Sequence, residues 1–275
     1  MVELEYVKRI RRRKIAALLA TLCSIVLTAL IIVAFLGSLV GSFTVKIQNN
    51  DVKLALSSKS DLSDSSTYMM VNNLPSFELN TNSELLDHDR IDNPNTSYLD
   101  DGCLKDPNTG EVTALYFLKQ TFYVTNIGTI PARYEFKITI TENNKPGNVA
   151  YGYDDLLRVR LYENPKDSEE HNYETFAKRV RDGEASAQDE DGNWIYQEYV
   201  SVVPSDPDYH KFCTNFENQS TIVTRSVKGF EIGDSTRYTI LLWLEGYDNE
   251  AERNKDVVPE GGSIKLEVNV TGYEA

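Results

Sequence analysis

From Ile15 to Val45 the chain carries no charged side chain, and the run ALLATLCSIVLTALIIVAFLGSLV inside this stretch is almost wholly apolar. As a helix rising about 1.5 Å per residue, it covers the roughly 30 Å hydrocarbon core of a bilayer. Lys8, Arg9, Arg11, Arg12, Arg13 and Lys14 stand directly before it, and Lys46 is the only basic residue just after it. Basic flanks stay on the cytoplasmic side. The pattern therefore predicts a cytoplasmic basic tail over 1–14, a transmembrane helix acting as signal-anchor over 15–40, and an extracellular domain over 41–275. A cleaved secretory signal has a shorter apolar centre and an A-x-A-like site; the nearest approach here is Val40-Gly41-Ser42.

Beyond the span the dominant period is two. Tyr134, Phe136, Ile138 and Ile140 alternate with Glu135, Lys137 and Thr139; Leu157, Val159 and Leu161 alternate with Arg158 and Arg160; Ile264, Leu266, Val268 and Val270 alternate with Lys265, Glu267 and Asn269. Strands with one dry and one wet face belong to antiparallel sheets packed face to face. The expected fold class is mainly β, an antiparallel β-sandwich. LYFLKQTFYV (115–124) and YTILLWLEG (238–246) are apolar on both faces and are expected at the centre of a sheet. Turns are expected at Asn126-Ile127-Gly128 and Asp191-Gly192.

Two stretches depart from this pattern. SEEHNYETFAKRVRDG offers Ser168 as a cap, acidic residues in a first turn, Tyr173, Phe176 and Val180 on one face, basic residues toward the end and Gly183 as a stop. It predicts one short amphipathic helix inside an insertion near 164–193. Residues 57–110 are rich in Ser, Asp and Asn and are expected as long polar loops with one or two short strands.

Of 28 basic and 42 acidic side chains, six and two precede Gly41, so the remainder carries 22 against 40, a net charge of −18. So acidic a surface repels nucleic acid and anionic headgroups. Cys23 lies in the span; Cys103 and Cys213 lie beyond it. In an oxidising exterior this outer pair reads either as a disulfide or as two separate buried thiols. His88, His171 and His210 stand in no H-E-x-x-H pair, and neither a G-x-S-x-G nor a phosphate loop occurs. His210 lies three before Cys213, which is half a metal site at most. Asp189-Glu190-Asp191-Gly192-Asn193 fails the EF-hand spacing and reads as a hairpin turn, while Asp100, Asp101 and Asp106 offer calcium-type oxygens on a loop. No catalytic residue, cofactor or metal site is assigned, and the chain is not expected to be an enzyme.

FTVKIQNNDVKLALS after the span, the unit FYVTNIGTIPARYEFKI, and the closing pair YTILLWLEGYDNE and EGGSIKLEVNV resemble the TasA and camelysin-like CalY family, exported β-sandwich proteins of Gram-positive bacteria. The resemblance implies a jelly-roll-like sandwich. It also implies extracellular matrix fibres in which the first strand of one subunit completes the sheet of the next, with Phe43, Val45 and Ile47 as the donor strand here. The leading expectation is a non-enzymatic, membrane-tethered bacterial surface protein with a structural or adhesive role in the envelope. Its partners would be the membrane, through the N-terminal helix, and either further copies of itself or envelope proteins, with no nucleic acid. A cleaved, biofilm-matrix fibre subunit is the alternative, and a surface hydrolase with an acidic, metal-dependent site is the second alternative.

Overall fold

The alternating rows fold as strands, and the protein is mainly β. The computed structural model describes residues 41–49, 52–74, 76–80, 87–97, 99, 102–145, 152–179, 187–188, 194–195, 198–201, 204–209, 211–246 and 262–275. The basic tail and membrane span expected over 1–40 lie outside them, and no helix among the described residues is long and apolar enough to cross a membrane.

In chain order the strands are β1 (Gly41–Asn49), β2 (Leu54–Ser57), β3 (Tyr68–Leu74), β4 (Ser76–Phe77), β5 (Leu79–Asn80), β6 (Cys103–Lys105), β7 (Val112–Leu115), β8 (Leu118–Asn126), β9 (Ala132–Asn144), β10 (Leu157–Pro165), β11 (Tyr173–Ala177), β12 (Ala187–Gln188), β13 (Trp194–Ile195), β14 (Thr214–Asn215), β15 (Thr221–Phe230), β16 (Ser235–Glu245) and β17 (Ser263–Glu274). The first large sheet has the order β15-β9-β17-β1-β3. The second has the order β14-β11-β10-β16-β8-β2, with β5 beside β16. Small β4-β7-β6 and β12-β13 sheets complete the set.

Most neighbours run antiparallel, but β1 is parallel to β17, β14 to β11 and β5 to β16. The sheets are therefore mixed, where alternation alone predicted antiparallel pairing. Only a tight hairpin forces neighbours to run antiparallel, and β1 and β17 are separated by most of the chain.

Both sheets contribute to one core. Val45 of β1, Phe136 of β9 and Val268 of β17 join Phe122 of β8, Leu161 of β10 and Leu242 of β16 in a single buried cluster. Each such side chain contributes about 1.5–3 kcal/mol through removal from water. The second sheet is also covered on its other side: Leu241 and Trp243 are buried with Ile91, Phe117 and Tyr162. Ile91 belongs to a helical turn, His88–Ile91, whose cap Asp87 accepts a hydrogen bond from the Arg90 amide. The segment 238–246 thus lies inside the second sheet as β16, between β10 and β8, and 115–124 does so from Leu118 onward as β8, between β16 and β2, while Leu115 ends β7 of the small sheet.

The amphipathic helix expected over 168–183 is overturned at its centre. Tyr173–Ala177 is strand β11, paired antiparallel with β10 from Arg158↔Ala177 to Tyr162↔Tyr173. Phe176 enters the main core while Tyr173 packs with the outer cluster, a period of two. The five residues Y-E-T-F-A satisfy either period, and aromatic and β-branched residues beside an open edge of β10 favour the strand. Residues 180–186 lie outside the described residues.

Candidate functional site

Phe43, Val45 and Ile47 are brought together as the inward row of β1, and all three are buried. The strand keeps one unbroken parallel register with β17 from Gly41↔Ile264 to Asn49↔Gly272, and on its other side pairs with β3 from Gly41↔Leu74 to Lys46↔Tyr68. It therefore completes the sheet of its own chain. On the outer row the Lys46 ammonium meets the Glu267 carboxylate at 2.8 Å. Burial alone would raise the Glu267 pKa, but Lys46 and Asn269 outweigh it and hold the carboxyl below its ordinary value. At the strand end, Asn49 Oδ1 accepts the Leu54 amide at 3.0 Å and Asn49 Nδ2 donates to the Leu54 carbonyl at 3.3 Å. The chain crosses here to the second sheet, close over Gly272, where a Cβ would lie 2.6 Å from Val52 Cγ2.

A set of titratable groups lies on the outer face of the second sheet. Arg158 and Arg160, read from alternation as a wet row, are only 1% and 2% exposed. Arg158 Nη2 donates to Glu198 at 3.2 Å. Arg160 donates to Thr175 Oγ1 at 3.0 Å and to Asp208 at 3.4 Å, and lies 4.9 Å from the Tyr173 ring centre and 5.3 Å from that of Trp243. Nearby, the buried Asp92 accepts from Arg237 Nη2 at 2.8 Å, Asn164 Nδ2 at 2.9 Å and Thr239 Oγ1 at 2.7 Å. Buried charges persist only when paired in this way.

Two histidines join this layer and are driven apart in basicity. His88 shares a 2.6 Å hydrogen bond with the Tyr162 hydroxyl and stacks on Tyr173 at 4.3 Å. Burial, helped by the Arg160 charge, depresses its pKa. His171 stands 3.1 Å from Asp92 and 2.8 Å from Asp89. Burial opposes its charge, but the two carboxylates outweigh burial and raise its pKa. This network fastens the segment 87–97 and the residues around Glu198 and Asp208 onto the sheet.

An open pocket of about 220 Å³ lies at the sheet edge, bounded by Leu161, Glu163, Asn172, Tyr173, Glu174 and Arg225. Burial raises the Glu163 pKa against the opposing influence of Tyr238 and Arg225. A carboxyl held toward its protonated form is what a general acid needs. The second carboxylate, Glu174, is already engaged by Arg225 and the Thr214 hydroxyl.

No protein-family model matches the chain, and no curated protein matches it. Among solved structures, one described as "AvmM Catalyzes Macrocyclization in Alchivemycin A Biosynthesis" aligns with 58% of this chain and 80% of its own, at 9% identity and a TM-score of 0.20. A likeness of that size carries no argument about fold or function.

The remaining residues singled out from the sequence do not converge. The bridge considered between Cys103 and Cys213 is not formed; both are free thiols. Cys103 belongs to the small β4-β7-β6 sheet with its thiol toward the Leu99 carbonyl, whereas Cys213 is buried with Ala177 and Val200 beside the second large sheet. Burial pushes the Cys213 thiol up to about 12. Asp106 spends one oxygen on the amides of Asn108 and Thr109, at 2.7 and 3.0 Å. Asp100, Asp101, His210 and the 189–193 turn lie outside the described residues, although β12 and β13 on either side of that turn do pair. No group of three His, Cys, Asp or Glu side chains among the described residues is placed to hold a metal. His88 and His171 stand in no metal-binding pair in the sequence, and no spacing signal joins residues 83 positions apart.

Proposed function

We propose that this chain is a non-enzymatic bacterial surface protein, tethered by its N-terminal apolar helix with the β-domain outside the cell, and structural or adhesive in role. The observation that carries this reading is the position of β1. The residues that follow the apolar run directly are the inner strand of a sheet, seated between β17 and β3, so a membrane anchor would pull on the core of the fold and not on a loose linker. The jelly-roll-like sandwich and kinship with the TasA and CalY proteins belong to the same proposal. The paired state of the buried charges supports it, because these groups hold loops in place.

Strand donation is the second reading, favoured by the burial of Phe43, Val45 and Ile47 in a strand that completes a sheet. Mass spectrometry of the mature N-terminus separates the two. A chain that retains residues 15–40 supports the tether, and one that begins near Phe43 overturns it in favour of the fibre subunit. Protease added to intact cells checks orientation: degradation of the β-domain is expected, and full protection of the C-terminus overturns the outside placement.

A further inference from the structure

We infer that the β-domain is a load-bearing module whose clamp is the parallel pair β1–β17. The inference rests on the tether proposed above for its biological use, but its mechanical content comes from strand geometry alone. In a parallel pair both strands start at the same end of the sheet. Gly41 and Ile264 mark the near end here, Asn49 and Gly272 the far end. Tension entering at Gly41 and leaving beyond Gly272 pulls the two strands past one another along their own axes. The evenly spaced ladder bonds of a parallel pair cross that direction at a slant, so the whole register from Gly41↔Ile264 to Asn49↔Gly272 is loaded together. An antiparallel pair pulled from adjacent ends opens one bond at a time.

Three further features oppose sliding. The inward row of Phe43, Val45 and Ile47 is buried with Leu266, Val268 and Val270 of β17, and displacement by one residue would turn the apolar row to solvent. The Lys46–Glu267 ion pair ties the outer row at 2.8 Å. At the far end Asn49 is held by both backbone groups of Leu54, while Val52 and Leu54 press on Gly272. The second neighbour, β3, adds its own ladder to the same strand. β1 cannot leave by slipping past a single edge.

Resistance to force is a matter of unfolding rate, not of equilibrium stability, so the clamp is a kinetic property of this register.

Single-molecule force spectroscopy on the full chain in detergent tests the inference. One preparation carries handles at Ser42 and Ala275, which shears β1 against β17. A second carries them at Ser42 and Lys145, which both lie at the near end and peel the sheet open. The expected result is a several-fold higher rupture force in the first geometry, lowered by Lys46→Ala and by Asn49→Ala. Equal forces in the two geometries overturn the clamp, since both preparations contain the same folded protein. The mature N-terminus is an independent readout: loss of residues 15–40 removes the tether while leaving the force comparison intact.

Discussion

The hydroxyls of Tyr134 and Tyr238 meet at 2.8 Å inside the core, one from β9 in the first sheet and one from β16 in the second. Both side chains are buried, and burial drives the Tyr134 pKa up to about 12 and that of Tyr238 well above its ordinary value. The Tyr238 hydroxyl also donates to Glu163 at 3.3 Å. One polar thread therefore crosses the core and ends at the edge pocket.

Tyr238→Phe should cost about 1–3 kcal/mol, because it strands polar partners that water reaches poorly. A double-mutant cycle with Tyr134→Phe in urea unfolding checks it: the two losses should be less than additive. Strict additivity would show that the hydroxyls do not interact. Because the Tyr238 bond lowers the Glu163 pKa, the same change should move the Glu163 titration further up, as followed by carboxyl NMR.

Leu242→Ala should cost about 2–5 kcal/mol through lost burial and a residual cavity. Leu242 is buried in the main core, whereas Lys265 is exposed and pairs with Glu142 at the surface. Lys265→Ala should change stability by less than about 1 kcal/mol. Equal unfolding free energies for the two variants would contradict the core placement.

Asp208→Ala should be as costly as a core truncation, about 3–5 kcal/mol, because it removes a buried carboxylate that the nearly inaccessible Arg160 meets at 3.4 Å. A milder loss is expected for Lys211→Ala, since Lys211 approaches Asp208 from solvent. Guanidinium unfolding of both variants gives the comparison, and the reverse order would dismiss the buried pair as an organising contact.

The histidine layer predicts a pH profile with a definite sign. His171 has a folded pKa above its ordinary 6.5, so its contribution is fully present below 6.5 and is lost as pH rises through the folded value. His88 has a folded pKa below 6.5, so its contribution is present above 6.5 and is lost as pH falls through the folded value. The stability difference between wild type and His171→Gln should therefore be largest in mildly acidic solution and shrink toward alkaline pH. The difference for His88→Gln should run the other way. Unfolding midpoints at a series of pH values decide the matter, and two parallel profiles would remove both assignments.

Much of the β architecture was legible because each long strand states its own period. The inward rows of β9, β10 and β17 were all readable from alternation, since side chains two apart on a strand share a face whatever lies opposite. The double apolarity of β16 placed it centrally for the same reason, and Trp243 is indeed completely buried beneath residues of the 87–97 segment. The site was far less legible. Arg158 and Arg160 obey the alternation, yet the row they occupy is buried, because alternation separates two faces without saying whether a loop covers the polar one.

By itself, the sequence determined a mainly β domain, its inward residues, its acidic balance and the apolar run ahead of Gly41, all of which are local properties of composition and period. Tertiary structure alone decided that β1 lies parallel to β17, that Tyr173–Ala177 is a strand and not a helix, that Cys103 and Cys213 stay apart, and that the half-buried His88 and His171 join the ionic layer on the second sheet. Each of these is a choice of partner between segments distant in the chain. Such a choice depends on which edge or face is left open once the core has closed, and no local pattern of residues encodes that.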